Sequence, residues 1–235
     1  MIVTITKFMV LFVQKKKNDM LLNKPFLLMR HGQTFSNTKE LTCGSHNSML
    51  TEKGRDDLKR KGNLFHFLNI KPRLIFHSSL SRSKDTAILV NQFINVSLIE
   101  KPLLNEQKFG SWELLPWQHI REKLDNQENP PDGESRNTFS FRIRDCLNSI
   151  LGIPNNNFPL IVGHGGTFFA IGWLYEHMVK DIQNSEIYLF IPCLNDIFPW
   201  YTFRLNEGND NTVSITQEII YFPINDLPGT FHPIV

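Results

Sequence analysis

Cysteine, net charge and long apolar runs are all scarce in this chain of 235 residues. Its three cysteines, Cys43, Cys146 and Cys193, are odd in number, far apart and in no metal-ligand spacing. That argues against a disulfide framework and for free thiols in a reducing compartment. The 25 basic and 23 acidic residues leave a formal charge of +2, so neither a nucleic-acid surface nor an anionic membrane is implied. Any preference for anions must come from a local cluster. The apolar stretch 2–13 is interrupted by Thr4, Thr6 and Lys7, and falls short of the roughly 20 residues of a membrane span. Its basic residues, Lys15, Lys16 and Lys17, follow the apolar stretch, whereas a signal peptide carries them before it. Residues 1–23 therefore read as an extension outside the core, with Met20 as an alternative start. Residues 24–235 read as a single cytoplasmic domain, long enough to bury roughly 70% of the unfolded chain's surface.

What is present is an alternation of short apolar runs and helical periodicity. Phe26-Leu27-Leu28-Met29, Leu74-Ile75-Phe76, Ser97–Glu100 and Leu160-Ile161-Val162 have the length and composition of strands. Helices are expected from Thr51, as N-cap, to about Leu68, from Arg82 to Ile94, and over Thr138–Leu151. A further helix follows Gly163-His164-Gly165-Gly166. Residues 105–137 read as mostly irregular, punctuated by Gly110, Pro116, Pro130, Pro131 and Gly133. Further strands are expected at Ile187–Ile191, Trp200–Leu205 and Val213–Phe222. The alternation predicts an α/β fold, a three-layer sandwich whose mostly parallel central sheet carries helices on both faces.

In such sheets ligands bind beyond the carboxyl ends of the strands. Three apolar strands run straight into polar residues: Arg30-His31-Gly32, His77-Ser78-Ser79-Leu80-Ser81-Arg82, and Gly163-His164-Gly165-Gly166. Parallel strands would put all three on one rim. Two histidines and two arginines there suit a phosphate ester, because an arginine fork matches phosphate oxygens and glycine lets backbone N–H groups approach closely. A neutral imidazole is a competent nucleophile toward phosphorus, and a leaving alkoxide needs a proton from a nearby carboxylic acid.

These residues are recognisable. Arg30-His31-Gly32-Gln33-Thr34 resembles the Arg-His-Gly signature of the histidine phosphatase superfamily, also called phosphoglycerate mutase-like. In family order follow Asn37, Leu50-Thr51-Glu52-Lys53-Gly54, Ser78–Arg82 with Thr86-Ala87, Glu106, Pro131-Asp132-Gly133-Glu134-Ser135, and Val162–Thr167. The resemblance spans about residues 26–205. It implies that His31 becomes a phosphohistidine, and that Arg30, Asn37, Arg82, His164 and the Gly165 backbone cradle the phosphoryl group. It also implies that Glu106 is the proton donor, with Glu113 bracing the loop. It implies neither metal nor cofactor, and no third zinc ligand accompanies His31 and His164. Trp112, Trp117 and Trp173 read equally as pocket walls or core. His46, His66, His77, His119, His177 and His232 read as ordinary surface or packing residues.

Some positions depart from the pattern. Asn47 and Met49 stand where Asp and Pro are common, Ser83 where alanine is frequent, and Leu114 where glycine is usual. The expected activity is hydrolysis of a small phosphorylated metabolite. Glu106-Gln107-Lys108-Phe109-Gly110 replaces the Glu-Arg-His-Tyr-Gly of the mutase branch, and Pro131–Ser135 looks closer to the branch that includes alpha-ribazole phosphatase. Mutase-type phosphoryl transfer and a non-catalytic phospho-ligand or partner binder are the alternatives.

Overall fold

The apolar runs do form strands, and their order in space brings the polar segments together. A computed structural model describes residues 20–68, 71–155, 158–194, 197–208 and 212–224. β1 (Phe26–Arg30), β2 (Leu74–His77), β3 (Ser97–Glu100) and β4 (Leu160–Gly163) lie parallel, in the order β3-β2-β4-β1. β6 (Ile187–Pro192), β7 (Trp200–Glu207) and β8 (Val213–Gln217) continue the sheet beyond β1 in antiparallel pairs. Five of the seven strands therefore share one direction, and β6 and β8 oppose it. The three-layer α/β expectation holds.

Period-two alternation divides the core between the two faces of the sheet. Phe26 and Leu28 point into a cluster with Phe139, Ile143 and Phe168, contributed by α5 (Arg136–Leu151) and α6 (Gly165–Leu174). Leu27 and Met29 point the other way, onto Leu58, Phe65 and Val90 of α2 (Glu52–Phe67) and α3 (Ser81–Ile94). Both faces are covered at β1, so it is apolar from Phe26 through Met29 rather than alternating. The expected Thr51 cap is present, accepting the Gly54 N–H at 2.9 Å. Ser135 caps α5 by accepting the Thr138 N–H at 3.1 Å, so that helix begins two residues before the expected start.

The structure refines three expectations. Residues 105–137 are mostly irregular, but they also hold a helix, α4 (Trp117–Asp125), and a 3₁₀ turn at Gly110–Trp112. Ile120 and Leu124, four apart, bury with Phe109 and Trp112 in a small core of their own, against which Trp117 packs. Val213–Phe222 is two strands, not one. After β8 the chain leaves the sheet, and β9 (Tyr221–Pro223) pairs instead with β5 (His177–Val179). The break falls where Ile219 is exposed but Ile220 is fully buried. At the amino-terminal boundary, Leu21 belongs to the core and its N–H donates to the Tyr175 hydroxyl at 3.2 Å. The rest of the proposed extension, residues 1–19, lies outside the described residues, as does His232. Among the described residues no helix is long and apolar enough to cross a membrane.

Candidate active site

Strand register sets the framework. Arg30 is paired with Gly163, and His77 with Val162, so the three polar segments leave the sheet at the same level. The His31 N–H donates to the Gly163 carbonyl at 3.0 Å, locking the ends of β1 and β4 together. One cavity is lined by Arg30, His31, Asn37, Arg82, Glu106 and Gly165. His164, fully buried, stands behind it with its ring centroid 5.2 Å from that of His31. The seven residues singled out in the sequence are thus brought together.

His31 is held in one tautomer. Its Nδ1 lies 2.7 Å from the Gly32 carbonyl, which only accepts, so Nδ1 carries the proton and Nε2 keeps the lone pair. Burial, then the charges of Arg82 and Arg30, hold the His31 pKa well below its ordinary value. His164 is lowered in the same way by burial, Arg82, His31 and Arg30. Both rings are therefore neutral at pH 7.

The arginines are sunk into the protein and held by carbonyls rather than carboxylates. Arg30 donates to the carbonyl of Ile182, and burial pushes its pKa down to about 10, still cationic at neutral pH. Arg82 donates to the carbonyls of Gly44 and His46, each at 2.8 Å. Seven buried side-chain polar atoms lack a partner among the described residues, and three belong here: Arg30 Nε, Arg82 Nε and His164 Nδ1. The Ser78 hydroxyl accepts the Leu80 N–H and lies 2.8 Å from His164 Nε2. Nδ1 of His164 is a donor or an acceptor according to whether the Ser78 hydroxyl gives its hydrogen to Nε2 or takes one from it. Unsatisfied buried donors are costly unless an acceptor arrives, so the site is built to receive an anion.

Asn37, in the short helix α1 (Phe35–Thr38), accepts through Oδ1 from the Thr34 N–H at 3.0 Å, the Thr34 hydroxyl at 2.9 Å and Asn184 Nδ2 at 3.3 Å. That leaves its own Nδ2 hydrogens as donors. Glu106 is anchored by two backbone N–H groups, Gln107 at 2.8 Å and Gly166 at 3.0 Å. Glycine at 166 leaves room for Glu106 in this position, since a Cβ there would come within 1.9 Å of its Oε1. Glu113 braces the loops as expected. Its Oε1 accepts from the Ser45 N–H, the Ser45 hydroxyl and the Phe109 N–H, at 2.9, 2.7 and 3.1 Å.

The departures now have structural accounts. Asn47 accepts the Ser81 N–H at 2.9 Å, capping α3 from outside the helix. Ser83 donates to the Val162 carbonyl at 2.8 Å and accepts the Ser78 N–H at 3.1 Å, tying β2 to β4. Leu114 adopts the glycine-like backbone, with φ 64°. Met49 is exposed. Trp117 lines the cavity, Trp112 is core, and Trp173 stacks on Phe169.

Three supporting residues were not singled out in the sequence. Asn184 donates to the His31 carbonyl at 3.1 Å, and Ser78 holds His164. Arg142 grips Glu134 through two bonds of 2.7 and 2.6 Å and reaches the carbonyls of Leu103, Asn105 and Glu106. Burial alone would raise the Glu134 pKa, but the Arg142 contact and the Lys108 N–H outweigh it and hold that carboxyl below its ordinary value. No local pattern marks Asn184 and Arg142, since each acts on a distant segment, whereas Ser78 lies within the Ser78–Arg82 motif without a role of its own there. Among the described residues, no three of His, Cys, Asp and Glu converge as metal ligands.

Fold and site together define a three-layer α/β protein with a buried histidine and arginine anion cavity at the carboxyl ends of its parallel strands. The chain belongs to the histidine phosphatase superfamily (branch 1), whose family model matches residues 26–188. A probable phosphoglycerate mutase GpmB of Erwinia tasmaniensis is 32% identical over 169 residues, covering 68% of this chain and 76% of that protein. A 2,3-bisphosphoglycerate-dependent phosphoglycerate mutase of Bartonella henselae is 28% identical over 209 residues, covering 82% and 97%. The fold is shared with a mycobacterial glucosyl-3-phosphoglycerate phosphatase at TM-score 0.63 and 22% identity, over 76% of this chain and 97% of that one. It is shared also with the alpha-ribazole phosphatase of Shigella flexneri at TM-score 0.62 and 20% identity, over 83% and 95%.

Proposed function

We propose that this protein hydrolyses a small phosphomonoester through a phosphohistidine on His31. The observation that carries the reading is the His31 ring, its Nδ1 turned to the Gly32 carbonyl and its Nε2 unprotonated, beside two buried guanidinium N–H groups, Arg30 Nε and Arg82 Nε, that lack acceptors. In this reaction Nε2 attacks phosphorus while the ester oxygen leaves with a proton from Glu106. Arg30, Arg82, Asn37, His164 and the Gly165 backbone hold the phosphoryl oxygens, stabilising the charge that spreads over them. Water, activated by the same Glu106, then releases phosphate and restores the imidazole. The step needs no metal, and the substrate is a phosphorylated metabolite of the cytoplasm.

Rapid quenching with labelled substrate is expected to trap an acid-labile, alkali-stable phosphoryl group that His31→Ala abolishes; label surviving in that variant places the nucleophile elsewhere. General acid catalysis is worth about 10²–10⁴-fold, so Glu106→Gln is expected to slow alkyl phosphates by that order. The burst from an aryl phosphate with a good leaving group should suffer far less. Equal losses in both bursts would transfer the acid role to Glu113. Mutase-type transfer is the second reading, favoured by the names of the two relatives above. Phosphoglycerate isomerised faster than it is hydrolysed would establish it.

A further inference from the structure

Beside the histidine and arginine cavity lies a second one, and the two share Glu106, Phe109, Trp117 and Gly165. An ester bond attacked by His31 and protonated by Glu106 would therefore direct its alcohol portion into this second space. Its further walls include Leu124, Phe169 and Arg136. Most of that lining is carbon. Phe109 and Leu124 are buried, and Trp117 and Phe169 are half-buried at the opening.

The polar groups around it are already engaged within the protein. Both Glu106 oxygens accept backbone N–H groups, and Gln107 Nε2 donates to the Glu134 carbonyl at 2.9 Å. Arg136, the one cation among these wall residues, donates to the Leu124 carbonyl at 2.8 Å. Its guanidinium also lies 4.6 Å from the Trp173 ring centroid and 5.3 Å from that of Phe169. The guanidinium is thus held at the wall by the Leu124 carbonyl and two rings, contacts made within the protein. A polyhydroxy acid would set most of its hydroxyls against carbon, and polar groups desolvated without partners weaken binding.

We propose that the alcohol portion of the substrate is flat and apolar, an aromatic or arylalkyl group seated against Trp117 and Phe169, and not a sugar acid. The proposal rests on the adjoining cavity being the phosphate seat. Apolar pockets discriminate by the carbon surface they cover, about 10–200-fold per methylene at the high end, so a ring should gain at least tenfold over a methyl group.

Phosphonates test this, because their P–C bond survives the enzyme and binding is read apart from turnover. Calorimetry on the full chain compares methylphosphonate, 2-phenylethylphosphonate and 2-carboxyethylphosphonate. The phenylethyl compound is expected to bind at least tenfold tighter than the methyl one, and the carboxyethyl compound no tighter than the methyl. Trp117→Ala and Phe169→Ala should each shrink the phenylethyl advantage at least threefold. The conservative Trp117→Phe should retain most of it, and the wild-type ratio stands by itself where a variant does not fold. Equal affinity for phenylethyl and methyl compounds would overturn the proposal while leaving the phosphate seat intact. So would tightest binding of the carboxyethyl compound, or an advantage that survives both alanine substitutions. Failure of all three compounds and of vanadate to bind would remove the phosphate seat, and the proposal with it.

Discussion

Leu114 holds a backbone conformation that L-residues avoid, φ 64°, while its N–H donates to the Thr42 carbonyl at 2.7 Å. The turn joins the Glu113 brace to the chain before α4, so its geometry is set by what lies on either side. A leucine there stores about 1–2 kcal/mol of steric strain, which glycine would release. Glycine costs about 0.5–1 kcal/mol in unfolded-state entropy, and Leu114, 43% exposed, already leaves a large share of its side chain to water. Leu114→Gly is therefore expected to stabilise the protein by up to about 1 kcal/mol, read as a higher urea midpoint at unchanged slope. A lower midpoint would mean that the leucine packs more usefully than its exposure indicates.

Helix α3 carries Arg82 at its second position, yet its N-cap residue, Leu80, supplies no side-chain acceptor. Asn47 supplies one from the neighbouring loop, and Arg82 returns two bonds to the Gly44 and His46 carbonyls of that loop. Cap and arginine thus hold each other in place. Losing a cap of this kind costs about 0.5–2 kcal/mol. Asn47→Ala should lose that much stability and raise KM, because the loop and the guanidinium shift together. Asn47→Asp should keep the cap and add about 0.3–1 kcal/mol from the helix dipole. An unchanged KM in the alanine variant, at reduced stability, would separate the cap from the site.

For the molecule as a whole, the two buried histidines make stability depend on pH. Their folded pKa values lie well below the unfolded value of about 6.5, so below that pH the unfolded chain takes up protons that the folded chain refuses. The contribution is complete above about 6.5 and is lost as pH falls, at up to about 1.4 kcal/mol per pH unit for each histidine. An anion between the arginines favours protonated imidazole and should flatten the dependence. Urea midpoints from pH 7 to 5.5 should fall more steeply for wild type than for His164→Asn, and less steeply with vanadate present. Equal slopes in both proteins would show that the rings titrate normally.

The sequence alone determined what is local: apolar runs of strand length, the Thr51 cap, and the polar residues that follow β1, β2 and β4. Because parallel strands end on one rim, these patterns were enough to assemble His31, Arg30, Arg82 and His164 before any coordinates. α4 was equally written in the spacing of Trp117, Ile120 and Leu124, but Pro116 supplies no side-chain cap and the surrounding prolines and glycines masked it. Only the tertiary structure decided what joins distant segments. Ser78 on His164, Asn184 on the His31 carbonyl and Arg142 on the Glu106 loop are each set by packing between elements far apart in the chain. Tertiary packing also decided that the chain after β8 turns away from the sheet to pair with β5, since burying Ile220 and Tyr221 outweighs extending an edge strand. Periodicity reports which residues want to be buried, and the choice of partner belongs to the fold.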